Sequence, residues 1–226
     1  LELTQTGSAN SAFGFRALEK NTGGCNTAVG DSALTVNTSG VHNVAVGRTV
    51  LSANTTGAEN TSVGTCSLRS ATTASYNTAV GNCALCSQTT GISNSAFGYL
   101  ALKSSTTGTL NTALGMNSML STTEGTNNVA VGHNSLRANT TGGYNTAIGY
   151  NAMYEGTTTG DYNTMVGVSS GRKMTSGTQN TSSGVNSMEL NTTGANNAAF
   201  GMNSLAANTT ASNNVAIGHS ALTTNT

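Results

Sequence analysis

The sequence predicts an all-β fold, a parallel β-solenoid (β-roll) of about thirteen rungs, and three observations carry that prediction: a strict repeat, two short apolar runs inside it, and a composition nearly free of charge. The fullest form of the repeat is Asn-Thr-Ala-Val-Gly-x-x-Ala-Leu-x-x-Asn-Thr-Thr-Gly-x-x, 17 residues long. An Asn-x-x-x-Gly box marks each copy, with its glycine at 14, 30, 47, 64, 81, 98, 115, 132, 149, 167, 184, 201 and 218. The steps between them are 17 residues except for one of 16 and one of 18. A fixed period of this size signals a solenoid or stacked array. Polar tracts with few aromatics often remain disordered, but a disordered linker has no reason to hold apolar residues at one phase of a cycle.

Positions are counted here from the box Asn. A small residue and a branched one precede the box Gly, as in Ala28-Val29, Ala79-Val80 and Ala147-Ile148. Three and four residues after it comes a second pair, as in Ala33-Leu34, Ala84-Leu85 and Ala152-Met153. Runs this short, bounded by Gly, Asn and Thr, suit strands, since a helix needs ten or more residues. The Asn-Thr-Thr-Gly segment then supplies a turn, with Gly and Asn accepting positive φ. Each repeat therefore reads as two short strands and two bends.

Stacked in register, the copies pair at about 4.8 Å per rung, and the box Asn column satisfies its own amides along the stack. A 17-residue coil encloses little interior, too little for both the Leu/Met column and the Val/Ile column. One column is expected to fill the coil and the other to face a partner chain.

The box Asn-x-Ala-Val/Ile-Gly-x-x-Ala, as in Asn43-Val44-Ala45-Val46-Gly47 and Asn214 to Ala221, resembles the head repeats of YadA-type trimeric autotransporter adhesins. The longer phrase from Asn145 to Met153 is similar to repeats of phage tail-fibre proteins and related bacterial surface proteins. The resemblance implies a left-handed roll, a homotrimer, and an extracellular, cell-surface or virion location. The period of 17 is longer than the adhesin repeat. Nothing resembling a fibre's C-terminal chaperone domain or an adhesin's membrane anchor stands in the sequence.

Charged residues make up 7% of the chain and the net charge is zero, which lacks the basic excess of a nucleic-acid binder. The chain opens Leu1-Glu2-Leu3-Thr4-Gln5 without a basic n-region, and no run approaches the roughly 18 apolar residues of a membrane span. It starts and stops in repeat phase, which reads as one repeat domain over residues 1–226 cut from a longer fibre, or as a unit with covered ends. His42, His133 and His219 fall in different repeats and the eight acidic residues are scattered. The expectation is accordingly no catalytic triad, no metal site, no cofactor and no enzymatic activity.

Candidate binding residues come from the two most variable columns, the position after the box Gly and the position before the box Asn. Their occupants include Asp, Arg, Tyr and His alike, the mark of a solvent-facing column. Tyr76, Tyr99, Tyr144, Tyr150 and Tyr162 lead, since tyrosine offers apolar area with a polar handle for a sugar ring or a receptor; His133 and His219 share the column after Gly. Cys66 and Cys83 each lie two residues after a box Gly, so they neighbour each other in adjacent rungs. Their Cα atoms, about 4.8 Å apart, could carry a disulfide staple or a ladder of reduced thiols. Cys83 and Cys86 form a Cys-x-x-Cys without a second pair.

Repeats ten and eleven read as a weak stretch. An extra residue falls near Glu155-Gly156, Gly171 replaces the usual Leu or Met, Ser183 replaces the usual Val or Ile, and Arg172-Lys173 lies between. A bulge or kink is expected there. The leading functional expectation is a structural shaft or head of an extracellular or virion fibre, a rigid spacer displaying a binding end. A filament grown by end-to-end strand pairing is the first alternative. An ice-binding solenoid, with tandem threonines such as Thr55-Thr56 and Thr140-Thr141 in columns, is the second.

Overall fold

A computed structural model describes residues 7–224; residues 1–5 and 225–226, read above for signals and repeat phase, lie outside them. Two compact units form, divided after Asn111. Each box contributes one three-residue strand. The first unit holds β1 (Ser11–Phe13), β2 (Thr27–Val29), β3 (Val44–Val46), β4 (Thr61–Val63), β5 (Thr78–Val80) and β6 (Ser95–Phe97). The second holds β7 (Thr112–Leu114), β8 (Val129–Val131), β9 (Thr146–Ile148), β10 (Thr164–Val166), β11 (Thr181–Ser183), β12 (Ala198–Phe200) and β13 (Val215–Ile217). Within each unit every strand pairs in parallel with that of the next repeat, position for position, as in Ala28↔Ala45 and Ala130↔Ala147. The fold is an all-β parallel solenoid without helices among the described residues.

Strand alternation sorts the side chains. The middle residue, usually Ala, is buried, and its neighbours face outward. The Leu/Met column at position 9 is wholly buried from Leu18 through Leu34, Leu85, Met119 and Met153 to Leu205, while Leu222 in the last repeat is exposed. The Val/Ile/Phe column at position 4 stays partly exposed, with Phe97 at 39%, Leu114 at 49% and Ile148 at 38%. The two columns therefore divide between interior and surface as the small coil requires.

The second apolar pair is not a strand. Beyond the box Gly the chain runs through turns in which positions 7 and 9 both take positive φ, as at Ser32 (58°) and Leu34 (49°), or Asn151 (55°) and Met153 (50°). A left-handed Leu costs roughly 1–2 kcal/mol, and complete burial of that side chain, worth roughly 1.5–3 kcal/mol, offsets it. The amides there still donate to the next rung, Leu34 N–H to Val50 O at 3.0 Å and Leu85 N–H to Ala101 O at 3.0 Å. The glycine of Asn-Thr-Thr-Gly also departs from expectation, since Gly40 and Gly57 have no positive φ. They are glycines for lack of space: a Cβ on Gly57 would collide with Asn54 Oδ1 and the Ala74 carbonyl oxygen.

The box asparagines form the expected ladder. Asn60 Oδ1 accepts both from the Asn77 backbone N–H at 3.0 Å and from Asn77 Nδ2 at 3.2 Å. Asn60 Nδ2 donates to Asn43 Oδ1 at 3.0 Å and to the Ala74 carbonyl at 2.8 Å. The same pattern runs through Asn163, Asn180 and Asn197 in the second unit. A second interior ladder at position 12 is less regular. Asn54 Nδ2 donates to Asn37 Oδ1 at 2.7 Å, but the next rung offers Ala71, and Asn54 Oδ1 has no partner. In that rung Ala74 replaces the turn glycine, so a methyl occupies the corner where an asparagine amide would lie. Ala71→Asn combined with Ala74→Gly should complete the ladder and raise the urea-unfolding free energy by about 1–2 kcal/mol. Ala71→Asn alone should destabilise, because its amide meets the Ala74 methyl.

The expected weak stretch is filled instead. Where Gly171 removes the Leu side chain, Met165 replaces the small strand residue of the same rung and takes its volume, and a Cβ on Gly171 would lie 2.8 Å from Met165 Sδ. Both Met165 and Met174 are fully buried, and β9, β10 and β11 keep unbroken register. The extra residue is absorbed in the turn around Gly156, with the Thr158 side chain buried.

Candidate binding surface

Period-two alternation along each strand sends positions 2 and 4 to one outward face, and position 6 and the residue before the box Asn flank that strand on either side. Both variable columns are solvent-facing as expected: Tyr76, Tyr99, Tyr144, Tyr150 and Tyr162 are all 52–58% exposed, and His219 is exposed. His133 is half-buried. The backbone of the column before Asn is pinned to the stack, with Tyr144 N–H donating to Thr126 O at 3.0 Å and Tyr162 N–H to Gly143 O at 3.2 Å.

The second unit gathers four of these residues around β8, β9 and β10. Tyr144 and Tyr162 stack with ring centroids 5.0 Å apart and planes at 12°. At the opposite ends of the strands, His133 and Tyr150 stack at 5.4 Å and 25°. Tyr144 and Tyr150 thus bracket β9 over a floor of Thr146 and Ile148. Flat rings facing solvent on both rims, with hydroxyls and methyls between, can stack on apolar faces and hydrogen-bond at the edges. Tyr76 and Tyr99 belong to the first unit and His219 to the last repeat, so none of these three joins the cluster. The sequence reading passed over Tyr154, whose ring lies 5.6 Å under the Arg137 guanidinium; its position, the one after the Leu/Met column, gave no signal.

The basic doublet is half neutralised. Arg172 pairs with Glu189 at 2.7 Å and with Glu155. Burial works against its charge, yet the two carboxylates outweigh this and hold its pKa above the usual arginine value. Lys173 lines an open cleft of about 250 Å³ with Glu155, Gly156, Thr175 and Thr192.

Cys66 and Cys83 occupy the same column in adjacent rungs, as the period requires, and the structure gives Cys25, Cys66, Cys83 and Cys86 as thiols, Cys25 exposed, Cys66 and Cys83 half-buried and Cys86 buried. Thr49 Oγ1 lies 3.3 Å from Cys66 Sγ one rung away. Burial, with Cys86 and then Cys66 close by, pushes the Cys83 thiol above its ordinary pKa. Among the described residues no group of three or more His, Cys, Asp or Glu side chains is placed to hold a metal ion, and no helix is long and apolar enough to cross a membrane. No protein-family model, curated protein or solved structure matches the chain.

Proposed function

We propose that this chain is a structural segment, the shaft or head of an extracellular or virion fibre, in which copies of the solenoid pack side by side along their position-4 columns. One observation supports this above the others. Twelve of the thirteen boxes carry Val, Ile, Leu or Phe at position 4, and seven of these side chains, Phe97, Leu114 and Ile148 among them, are exposed, flanked by exposed position-6 side chains such as Met116, Tyr150 and Val168. Contiguous exposed apolar strips on soluble proteins mark sites of association, and a column repeated at the rung spacing within each unit suits a partner with the same spacing, a second copy. The tyrosine-rimmed patch on β8–β10 is then the display surface, for a glycan or protein receptor.

The tandem threonines favour this reading over ice binding. Thr38, Thr55, Thr72 and Thr89 each give their hydroxyl to the next rung's backbone carbonyl, at 2.8–3.2 Å. Their hydroxyls are thus engaged in bonds along the stack, while Thr56, Thr73 and Thr90, which follow three of them, are exposed.

Light scattering with negative-stain imaging tests the proposal. A discrete particle of a few chains, three on the adhesin pattern, is expected, and Phe97→Lys with Ile148→Lys should release monomers with unchanged circular dichroism. A wild-type monomer would overturn it; long polymers that survive the double substitution would favour end-to-end growth.

A further inference from the structure

Three thiols of the first unit share one corner of the coil. Cys66 and Cys83 occupy position 7 of successive rungs, and Cys86 occupies position 10 of the second. Side chains at position 7 touch their counterparts in the next rung: Thr49 meets Cys66, and in the second unit Asn117 Nδ2 donates to Asn134 Oδ1 at 3.2 Å and Asn134 Nδ2 to Asn151 Oδ1 at 3.1 Å. Positions 7 and 10 also meet across the turn, as Arg16 Nε and Glu19 Oε2 do at 2.8 Å. Cys83 is the one thiol that stands on both axes. An i to i+3 turn holds Cα atoms within about 7 Å, and adjacent parallel rungs hold them at about 4.8 Å, so either pair falls inside the disulfide window.

We infer that Cys66, Cys83 and Cys86 form a thiol–disulfide exchange site in which Cys83 is the shared partner and the substrate is a small disulfide of the glutathione class. Cys66 and Cys83 are both half-buried and Cys86 is buried; Cys86 therefore reacts last, and the burial and neighbouring thiols that keep Cys83 protonated leave the first attack to Cys66. The Cys66 thiolate attacks one sulfur of the small disulfide; its S–S bond breaks, and the departing thiolate takes up the proton Cys66 lost. The Cys83 thiolate then attacks the Cys66 sulfur of the mixed disulfide and expels the second small thiol, which takes the Cys83 proton. Two protein thiols are oxidised to a Cys66–Cys83 bond and one small disulfide is reduced to two thiols. Attack of the Cys86 thiolate on Cys83 sulfur moves the bond to Cys83–Cys86 and returns a proton to Cys66. Oxidation thereby travels from surface to interior without net consumption of oxidant in the last step. The raised Cys83 thiol keeps the second step slow at neutral pH and speeds it as pH rises.

The test uses a Cys25→Ser background, since Cys25 is exposed and far along the chain. After incubation with oxidised glutathione, the free-thiol titre should fall from three to one per chain with a mass loss of two hydrogens. Non-reducing peptide mapping should find both Cys66–Cys83 and Cys83–Cys86 links. With Cys83→Ser added, the internal link should disappear and Cys66 should retain a glutathione adduct. Three free thiols, adducts alone in the Cys25→Ser protein, or an equally fast Cys66–Cys86 link in the Cys83→Ser protein would each overturn the inference.

Discussion

Gly81→Ala should destabilise the first unit by about 3–5 kcal/mol, read as a lowered urea midpoint with unchanged slope. Gly81 has φ +140°, a region open essentially to glycine alone, and holding another residue there costs roughly 1–3 kcal/mol. The new Cβ would also lie 2.7 Å from the Gly98 carbonyl carbon in the next rung, and overpacking of this kind adds roughly 1–3 kcal/mol. Gly24→Ala supplies the comparison within the same unit. Its φ is not positive, and its Cβ would meet Ser8 O at 3.1 Å and Ser8 N at 3.7 Å, so the change should stay within about 1 kcal/mol. Equal losses at the two sites would show that the box glycine is not set by rung-to-rung contact.

The second large effect belongs to the asparagine ladder. Asn60→Ala removes two donated and two accepted side-chain hydrogen bonds from a fully buried site. It leaves the Asn77 N–H and the Ala74 carbonyl without partners, and each such orphan costs roughly 1–3 kcal/mol. A loss of about 3–5 kcal/mol is expected, against well under 1 kcal/mol for the exposed neighbour Thr61→Ala. Asn60→Asp separates shape from donation. It keeps the volume and the acceptor but sets a carboxylate oxygen against the Ala74 carbonyl and strands a charge in the interior, so it should be as damaging as alanine at neutral pH and milder in acid. Measuring both variants at pH 4 and pH 7 checks the distinction.

These two positions were the most legible part of the sequence, because both are invariant in phase and each has one physical reason to be so. Column logic likewise foresaw the exposed tyrosines, since residues one period apart must be neighbours; Tyr144 and Tyr162 remain stacked across the 18-residue step. The second apolar pair misled for a definable reason. Leucine is a poor left-handed residue, and nothing in its identity announces that Leu34 or Leu85 adopts φ near +50°. Only the closed geometry of the coil, which buries that side chain completely, makes the conformation worthwhile. The stretch around Gly171 was misread because each substitution was weighed alone. Its partner, Met165, lies six residues earlier in the same rung, so the exchange of volume is visible only when two columns are compared together. The three-thiol corner was half visible: the Cys66–Cys83 column follows from the period, whereas the approach of Cys86 depends on a turn that was taken for a strand.

The spacing of the hydrogen bonds bears on how such a chain folds. Bonds from rung to rung join residues about one repeat apart, whether Asn60 to Asn43, Leu34 to Val50 or Asn163 to Asn145. Parallel sheets ordinarily fold slowly, since their partners are distant in sequence and long loops must close first. Here each loop is one rung, and its closure entropy is the same at every step. Once a first pair of rungs has formed, growth can proceed in either direction by identical short searches, so that adding repeats lengthens the process in proportion without raising its barrier. The difficult event is the first closure, and the kinetics should depend on the most stable pair of rungs more than on the length of the array.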